Sequence, residues 1–392
     1  MNHFKNLSFI VLVLGTFIRC TEIYTPDINT NTKALIVEGL VTDEAGPFSV
    51  KLTMAYPLPF NSVGSTSYNV KGAKVSISEN AQTTYSLIET TSGIYNTPSY
   101  FKSKVGNVYK LFITTKDGSI YESSSERLLS PQTIDSIHGI QTTENYINKN
   151  NELQNVMGAD VLADLYKSLS VPGPACRFVS NITIQYNFAF YERDISGNIN
   201  PTYHWVLFGW DTFKLNGNEN ITEAKNSASN PLIENHSIGF IPFEASNYNF
   251  SAGKTIGLDV PIPSISIIYY LCVNQYTMNN DSYRFYKAAN NQLSATGKIF
   301  DPIASQLYGN MKCTNDPTKI VLGLFEVSSV KQHAFLVKGS STSPNVSVTK
   351  TTVMNMPKAK DFRYRYWDQS QDPPPTDSLS IPIPLPDWWY HN

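Results

Sequence analysis

From Ala34 onward the chain alternates short apolar runs with turn residues. Phe48–Met54 (FSVKLTM) is the clearest case: Phe48, Val50, Leu52 and Met54 fall on one side, Ser49, Lys51 and Thr53 on the other. A period of two is that of a half-buried strand. Comparable runs at Ala34–Val41, Ala73–Ser78, Thr83–Ile88, Gly93–Asn96, Val108–Thr115 and Ser119–Ser123 bring the total to about seven short strands. Lys116-Asp117-Gly118 joins the last two. Asp-Gly predicts a tight hairpin turn with positive φ at both central residues.

Short strands at this spacing predict a mainly β protein. Residues 34–127 read as an N-terminal β-sandwich of immunoglobulin or transthyretin type. Residues 128–371 read as a larger β-rich domain with one or two helices. Its strand-like runs are Phe178–Tyr191, Tyr203–Trp210, Ile256–Val260, Ser264–Val273, Lys319–Val327 and His333–Val337, and Asn216–Asn230 reads as a polar loop. Val156, Val161, Leu162, Leu165 and Tyr166 lie near three-to-four spacing and predict a helix near 151–168. A second helix is predicted over 281–293, with Tyr283, Tyr286 and Lys287 on the face that packs against a sheet. Residues 372–392 begin with the proline-rich DPPPTDSLSIPIPLP, which predicts extended polyproline II, and continue into Trp388, Trp389 and Tyr390. These three aromatics read as a strap over the chain's own domain or as anchors for a partner.

The beginning of the chain carries an address. Lys5 precedes an eleven-residue apolar run, Ser8–Ile18, and Arg19-Cys20 follows. Eleven residues of helix span only ~16 Å, about half of a bilayer core. Residues 1–19 therefore read as a secretory signal peptide. Cys20 stands where a bacterial lipoprotein carries its acylated cysteine, and several acyl chains together give a stable anchor. Arg19 departs from the small residue usual at that position. Residues 20–33 are polar and turn-rich and read as a lipidated tether with a reach on the order of 40 Å.

Further chemistry is sparse. Besides Cys20 the cysteines are Cys176, Cys272 and Cys313. Either two of them form a disulfide, in any of three pairings, or all are buried free thiols. No spacing suggests zinc, a P-loop, a dinucleotide site or a nucleophile elbow. The expectation is thus a protein without metal or cofactor and without catalysis. Trp205, Trp210, Trp367, Trp388 and Trp389 could stack on a glycan or other small ligand. Thirty Lys and Arg against 32 Asp and Glu, a formal charge of −2, argue against a nucleic-acid partner.

Several segments resemble an uncharacterised, domain-of-unknown-function family of Bacteroidota outer-membrane lipoproteins. They are Cys20-Thr21-Glu22, Leu35-Ile36-Val37-Glu38-Gly39, Gly93-Ile94-Tyr95, Gly106 with Tyr109-Lys110-Leu111, and Ile134-Asp135-Ser136-Ile137. Tyr283-Arg284-Phe285-Tyr286, Gly297-Lys298-Ile299-Phe300-Asp301-Pro302, Gly309-Asn310-Met311, Val321-Leu322-Gly323-Leu324-Phe325 and Pro386-Asp387-Trp388-Trp389 extend the likeness. The close cysteine pair that many members carry near the C-terminus is missing here. Such proteins are often encoded beside TonB-dependent transporters. The resemblance therefore implies a lipid-anchored protein on the outer face of the outer membrane, an accessory subunit of a β-barrel complex. A stand-alone surface lipoprotein that binds glycans or peptides is the other reading.

Overall fold

The computed structural model describes residues 33–56, 67–147, 151–166, 175–193, 199–215, 220–223, 232–244, 264–293, 307–351 and 362–368. The signal peptide, all of the tether but Lys33, the expected strand at 256–260 and the C-terminal segment 372–392 lie outside them.

Among the described residues, ten strands precede residue 128: β1 (Ala34–Val41), β2 (Ser49–Ala55), β3 (Ser67–Asn69), β4 (Lys74–Glu79), β5 (Thr83–Ser86), β6 (Ile88–Thr91), β7 (Ile94–Asn96), β8 (Val108–Thr114), β9 (Ile120–Ser123) and β10 (Glu126–Arg127). The alternation in β2 is realised, with Val50 and Leu52 buried and Ser49 and Lys51 exposed. The run 83–88 divides at Leu87, where the chain leaves one sheet at β5 and enters the other at β6. Between the sheets lies a core that includes Val37, Leu52, Ile77, Tyr109, Leu111 and Phe101. Burying such side chains contributes roughly 1.5–3 kcal/mol each.

The sandwich does not close within residues 34–127. Two strands from far along the chain, β18 (Met311–Cys313) and β19 (Ile320–Val327), complete it. β19 lies parallel to β1 over its whole length, Ala34 opposite Ile320 through Val41 opposite Val327. β18 pairs with β9 at the edge of the other sheet. A boundary at 127 thus divides the sequence but not the sandwich. Parallel neighbours need a crossover, and here the connection runs through the rest of the first sandwich and then most of the second unit.

That second unit also has two sheets. β11 (Ser136–Ile147), β12 (Leu153–Tyr166) and β16 (Leu232–Pro242) form the smaller. The larger runs β21-β20-β17-β13-β14-β22, with β15 (Asn220–Glu223) beside β13. Its other strands are β13 (Ala175–Arg193), β14 (Ile199–Lys214), β17 (Ser264–Met278), β20 (Ser329–Ser340), β21 (Ser343–Thr351) and β22 (Phe362–Asp368). Their shared core includes Val161, Leu165, Ile182, Ile241, Leu271 and Phe335.

Three expectations are corrected. Residues 153–166 are not a helix but the central strand β12 of the smaller sheet. Ala159, Val161, Ala163 and Leu165 point to the core, while Val156 and Leu162 are buried on the opposite face. Burial of both faces erases the alternation and mimics a helical spacing. The loop expected at 216–230 contains the strand β15. At the Asp117-Gly118 hairpin only Gly118 takes positive φ, 81°. Thr115 N donates to Ser119 O at 3.0 Å and Gly118 N to Thr115 O at 2.9 Å, which makes a turn closed by one left-handed glycine. The longer loop frees the Asp117 carboxylate to accept from Thr115 Oγ1 at 2.5 Å and Ser119 Oγ at 2.9 Å.

The predicted helix at 281–293 is present as α1 (Asn280–Leu293). Ser282 is its buried residue, and Lys287 is exposed. The packed face is therefore centred on Ser282 and Tyr286 rather than on Lys287.

Candidate functional site

The two sandwiches meet where β19 becomes β20, with Ser328 alone between them. On β19 the apolar sequence IVLGLFEV places Val321, Phe325 and Val327 in the first core, so Glu326 points out of the opposite face. On β13, Cys176 and Phe178 enter the second core and Arg177 points away from it. At this point the outer face of each sandwich presents a charge, and the two charges meet. Arg177 Nη2 lies 3.1 Å from Glu326 Oε2, with side chains only 9% and 3% exposed.

The pair is enclosed by aromatic and hydroxyl groups. The Arg177 guanidinium lies 4.4 Å from the Tyr276 ring centroid and 4.7 Å from that of Tyr286. Such cation–π contacts gain strength when desolvated. Tyr286 Oη donates to Glu326 Oε2 at 2.6 Å and Ser328 Oγ to Oε1 at 2.7 Å. Both carboxylate oxygens are therefore satisfied, which a buried charge requires.

A second carboxyl group lies at the seam. Glu126, on β10, is 2% exposed. Its Oε1 is 2.6 Å from Ser124 Oγ and 3.0 Å from Asn310 Nδ2. Burial raises its pKa against the lowering effect of the Ser124 and Asn310 hydrogen bonds, and Asp281 and Glu326 add to the rise. Asn310 also behaves as a strand partner for Phe325: Phe325 N donates to its Oδ1 at 3.0 Å and its Nδ2 to Phe325 O at 2.8 Å. Asn279, just before α1, donates to Arg127 O at 3.0 Å and Val327 O at 3.1 Å. Asp43 accepts from Val330 N at 2.8 Å, and Gln132 N donates to Thr277 Oγ1 at 2.9 Å. Together these bonds span the first sandwich, α1 and the larger sheet of the second.

Segments singled out in the sequence converge here. Leu35–Gly39 is β1, Val321–Phe325 is β19, Gly309–Met311 runs beside β19, and Tyr283–Tyr286 is on α1. A Cβ on Gly309 would lie 1.6 Å from Gly323 O, and one on Gly323 would lie 2.1 Å from Val37 O. Gly309 is thus required by close approach; Gly323, at φ +88°, also needs its conformational freedom.

Away from the seam, the 314–319 loop latches onto the 115–119 hairpin. Ile120 N donates to Asn315 Oδ1 at 2.9 Å, Asn315 Nδ2 to Gly118 O at 2.9 Å, and Lys319 Nζ to Asp117 Oδ2 at 2.9 Å. The hydrogen bonds from Thr115, then Lys319 and Ser119, hold the Asp117 carboxyl well below its ordinary range. Beside this latch is an open cleft of about 550 Å3 lined by Tyr308, Met311, Lys312, Lys319 and Val321 among others.

The sequence-predicted site residues fall elsewhere. Cys20, Trp388, Trp389 and Tyr390 lie outside the described residues. Trp205 and Trp210 are on β14 and Trp367 on β22. Cys176, Cys272 and Cys313 are buried free thiols, the second of the two readings. Asn181 is opposite Cys272 and Thr277 opposite Cys176, which puts the two cysteines five steps and ~17 Å apart on opposite faces. Cys313 belongs to the first core. Burial lifts the Cys176 thiol to about 11. Among the described residues no group of three or more His, Cys, Asp or Glu is arranged to hold a metal.

Sequence reasoning passed over Arg177, Glu326 and Glu126, and reached Asn310 only as part of the Gly309-Asn310-Met311 segment. The available signal was a lone charge within an apolar strand, Arg177 in ACRFV and Glu326 in LFEV.

No curated protein and no solved structure matches the chain. A family model does, over residues 21–334. The seam, β1, β19 and α1 all lie inside that span, and the chain belongs to the family described as Domain of unknown function (DUF4249).

Proposed function

We propose that this chain is a non-enzymatic surface lipoprotein of the outer membrane, an accessory subunit of an outer-membrane β-barrel complex such as a TonB-dependent transporter. One observation carries the reading: an apolar run ends at Ile18, Arg19-Cys20 follows, and a short polar segment then leads into β1. β1 is paired along its whole length with β19, and β19 continues through Ser328 into the second sandwich. An anchor at Cys20 therefore holds both sandwiches through one continuous strand path, leaving their outer surfaces to a partner. Replacing Cys20 by Ala tests this directly. Loss of acylation with release from the membrane fraction is expected; an unacylated variant that stays membrane-bound contradicts it.

A second reading rests on the cleft beside β18. Tyr308 is 62% exposed at its rim and Lys312 and Lys319 line it. A stand-alone module would bind a glycan or peptide there. Titration of the purified chain with glycan and peptide libraries, repeated on Tyr308→Ala, distinguishes the two.

A further inference from the structure

Ser124 Oγ stands between two carboxyl groups. It is 2.6 Å from Glu126 Oε1 and 3.1 Å from Asp281 Oδ2. A serine hydroxyl carries one proton and can donate once. An ionised carboxylate has none to give. With both acids ionised, one of these contacts sets a lone pair against a lone pair in a half-buried part of the seam. Both become hydrogen bonds only when one acid brings a proton of its own.

The surroundings decide which one. Asp281 Oδ1 is ion-paired with Arg284 at 3.1 Å, and its side chain is 39% exposed. Glu126 is nearly inaccessible, and its contacts are to neutral groups, Ser124 and Asn310. Other charged or titratable groups face it from each packed element. Glu326 on β19 is neutralised by Arg177, Tyr109 on β8 is its register partner, and neighbouring Arg127 turns its guanidinium to Gly106 O. No cation among the described ion pairs reaches Glu126.

We propose that Glu126 is a neutral carboxylic acid in the folded protein. It donates its proton to Ser124 Oγ, which donates its own to Asp281 Oδ2, and this one added proton clasps the first sandwich to α1. Burial, the main cause of the raised pKa at Glu126, acts in the same direction. Removing the proton adds at Glu126 a buried charge with no cation among the described ion pairs, and leaves Ser124 able to serve only one of its two neighbours. The seam is therefore built to loosen on alkalinisation.

Infrared difference spectra of the full chain against Glu126→Gln, at neutral pH, read the proton directly. Glutamine offers a neutral amide of similar shape, and the buried Asp160 and half-buried Glu144 cancel in the difference. A protonated-carboxyl C=O band present in the unsubstituted chain and lost from the variant is expected; loss of carboxylate bands alone overturns the proposal. Ser124→Ala gives an independent reading should Glu126→Gln not fold. It is expected to keep the protonated band and move it to higher frequency, because the acid loses its acceptor. An unmoved band, or none, overturns the relay.

Discussion

Arg177 and Glu326 are 149 positions apart in sequence, yet their side chains meet at 3.1 Å in the seam between two β-sandwiches. Each charge meets its opposite on the other sandwich. A buried pair of this kind is weak evidence of net stability, because desolvating both ions offsets their attraction. The pair instead ties the outer face of β19 to that of β13 at one point.

Removing one partner leaves the other buried and unpaired. Arg177→Met is expected to lose roughly 3–5 kcal/mol of unfolding free energy, and the Arg177→Met/Glu326→Leu double variant to regain most of it. Urea denaturation of the single and double variants checks this. Equal losses in the single and double variants would contradict it.

Asn310 serves three partners, Phe325 N, Phe325 O and Glu126. Asn310→Ala is expected to cost about 1–3 kcal/mol for each buried group left unpaired. Asn310→Asp should be worse than Asn310→Ser, because its second oxygen faces the Phe325 carbonyl and the Glu126 carboxyl. Thermal melts of the three variants rank them.

Two glycines at positive φ separate crowding from backbone strain. A Cβ on Gly323 meets Val37 O, whereas nothing lies within 4 Å of one on Gly106 at φ +91°. Gly323→Ala is expected to cost roughly 2–5 kcal/mol and Gly106→Ala about 1 kcal/mol. Matching losses in denaturant titrations would contradict the close packing of β1 on β19.

The latch between the 115–119 hairpin and the 314–319 loop is expected to weaken in acid. Asp117 has a folded pKa below its ordinary 3.8, so its contribution is fully present above 3.8 and is lost as pH falls through the folded value. Lys319, raised above its ordinary 10.5 by the hydrogen bond to Asp117, contributes below 10.5 and loses that contribution as pH rises through the folded value. Hydrogen exchange at the Ile120 and Thr314 amides reads the latch, and Asp117→Asn should flatten its acid limb.

Much of the first sandwich was legible because its strands have one buried and one exposed face. β1 matches the expected Ala34–Val41, and β2, β8 and β9 fall within a residue of expectation. β12 was not legible, because burial on both faces hides a period of two. Nor was the donation of β18 and β19 to the first sandwich, since a parallel pairing between Ala34 and Ile320 leaves no local signature. The seam shares that difficulty. Arg177 and Glu326 each look like an isolated irregularity in an apolar strand, and only the fold shows that they answer one another.

The thiols offer a simple check on the cores. Cys176, Cys272 and Cys313 are expected to resist a thiol reagent in the native chain, to react together after denaturation, and to give the same electrophoretic mobility with and without reductant. A mobility shift on reduction would contradict the three free thiols.

The central claim is that this anchored pair of sandwiches serves a β-barrel partner. Its most direct test is mild detergent extraction of native membranes carrying a C-terminally tagged chain, followed by mass spectrometry of what co-purifies. The account predicts one outer-membrane β-barrel protein in stoichiometric amount. Recovery of the chain alone, under conditions that preserve other barrel complexes, would contradict it.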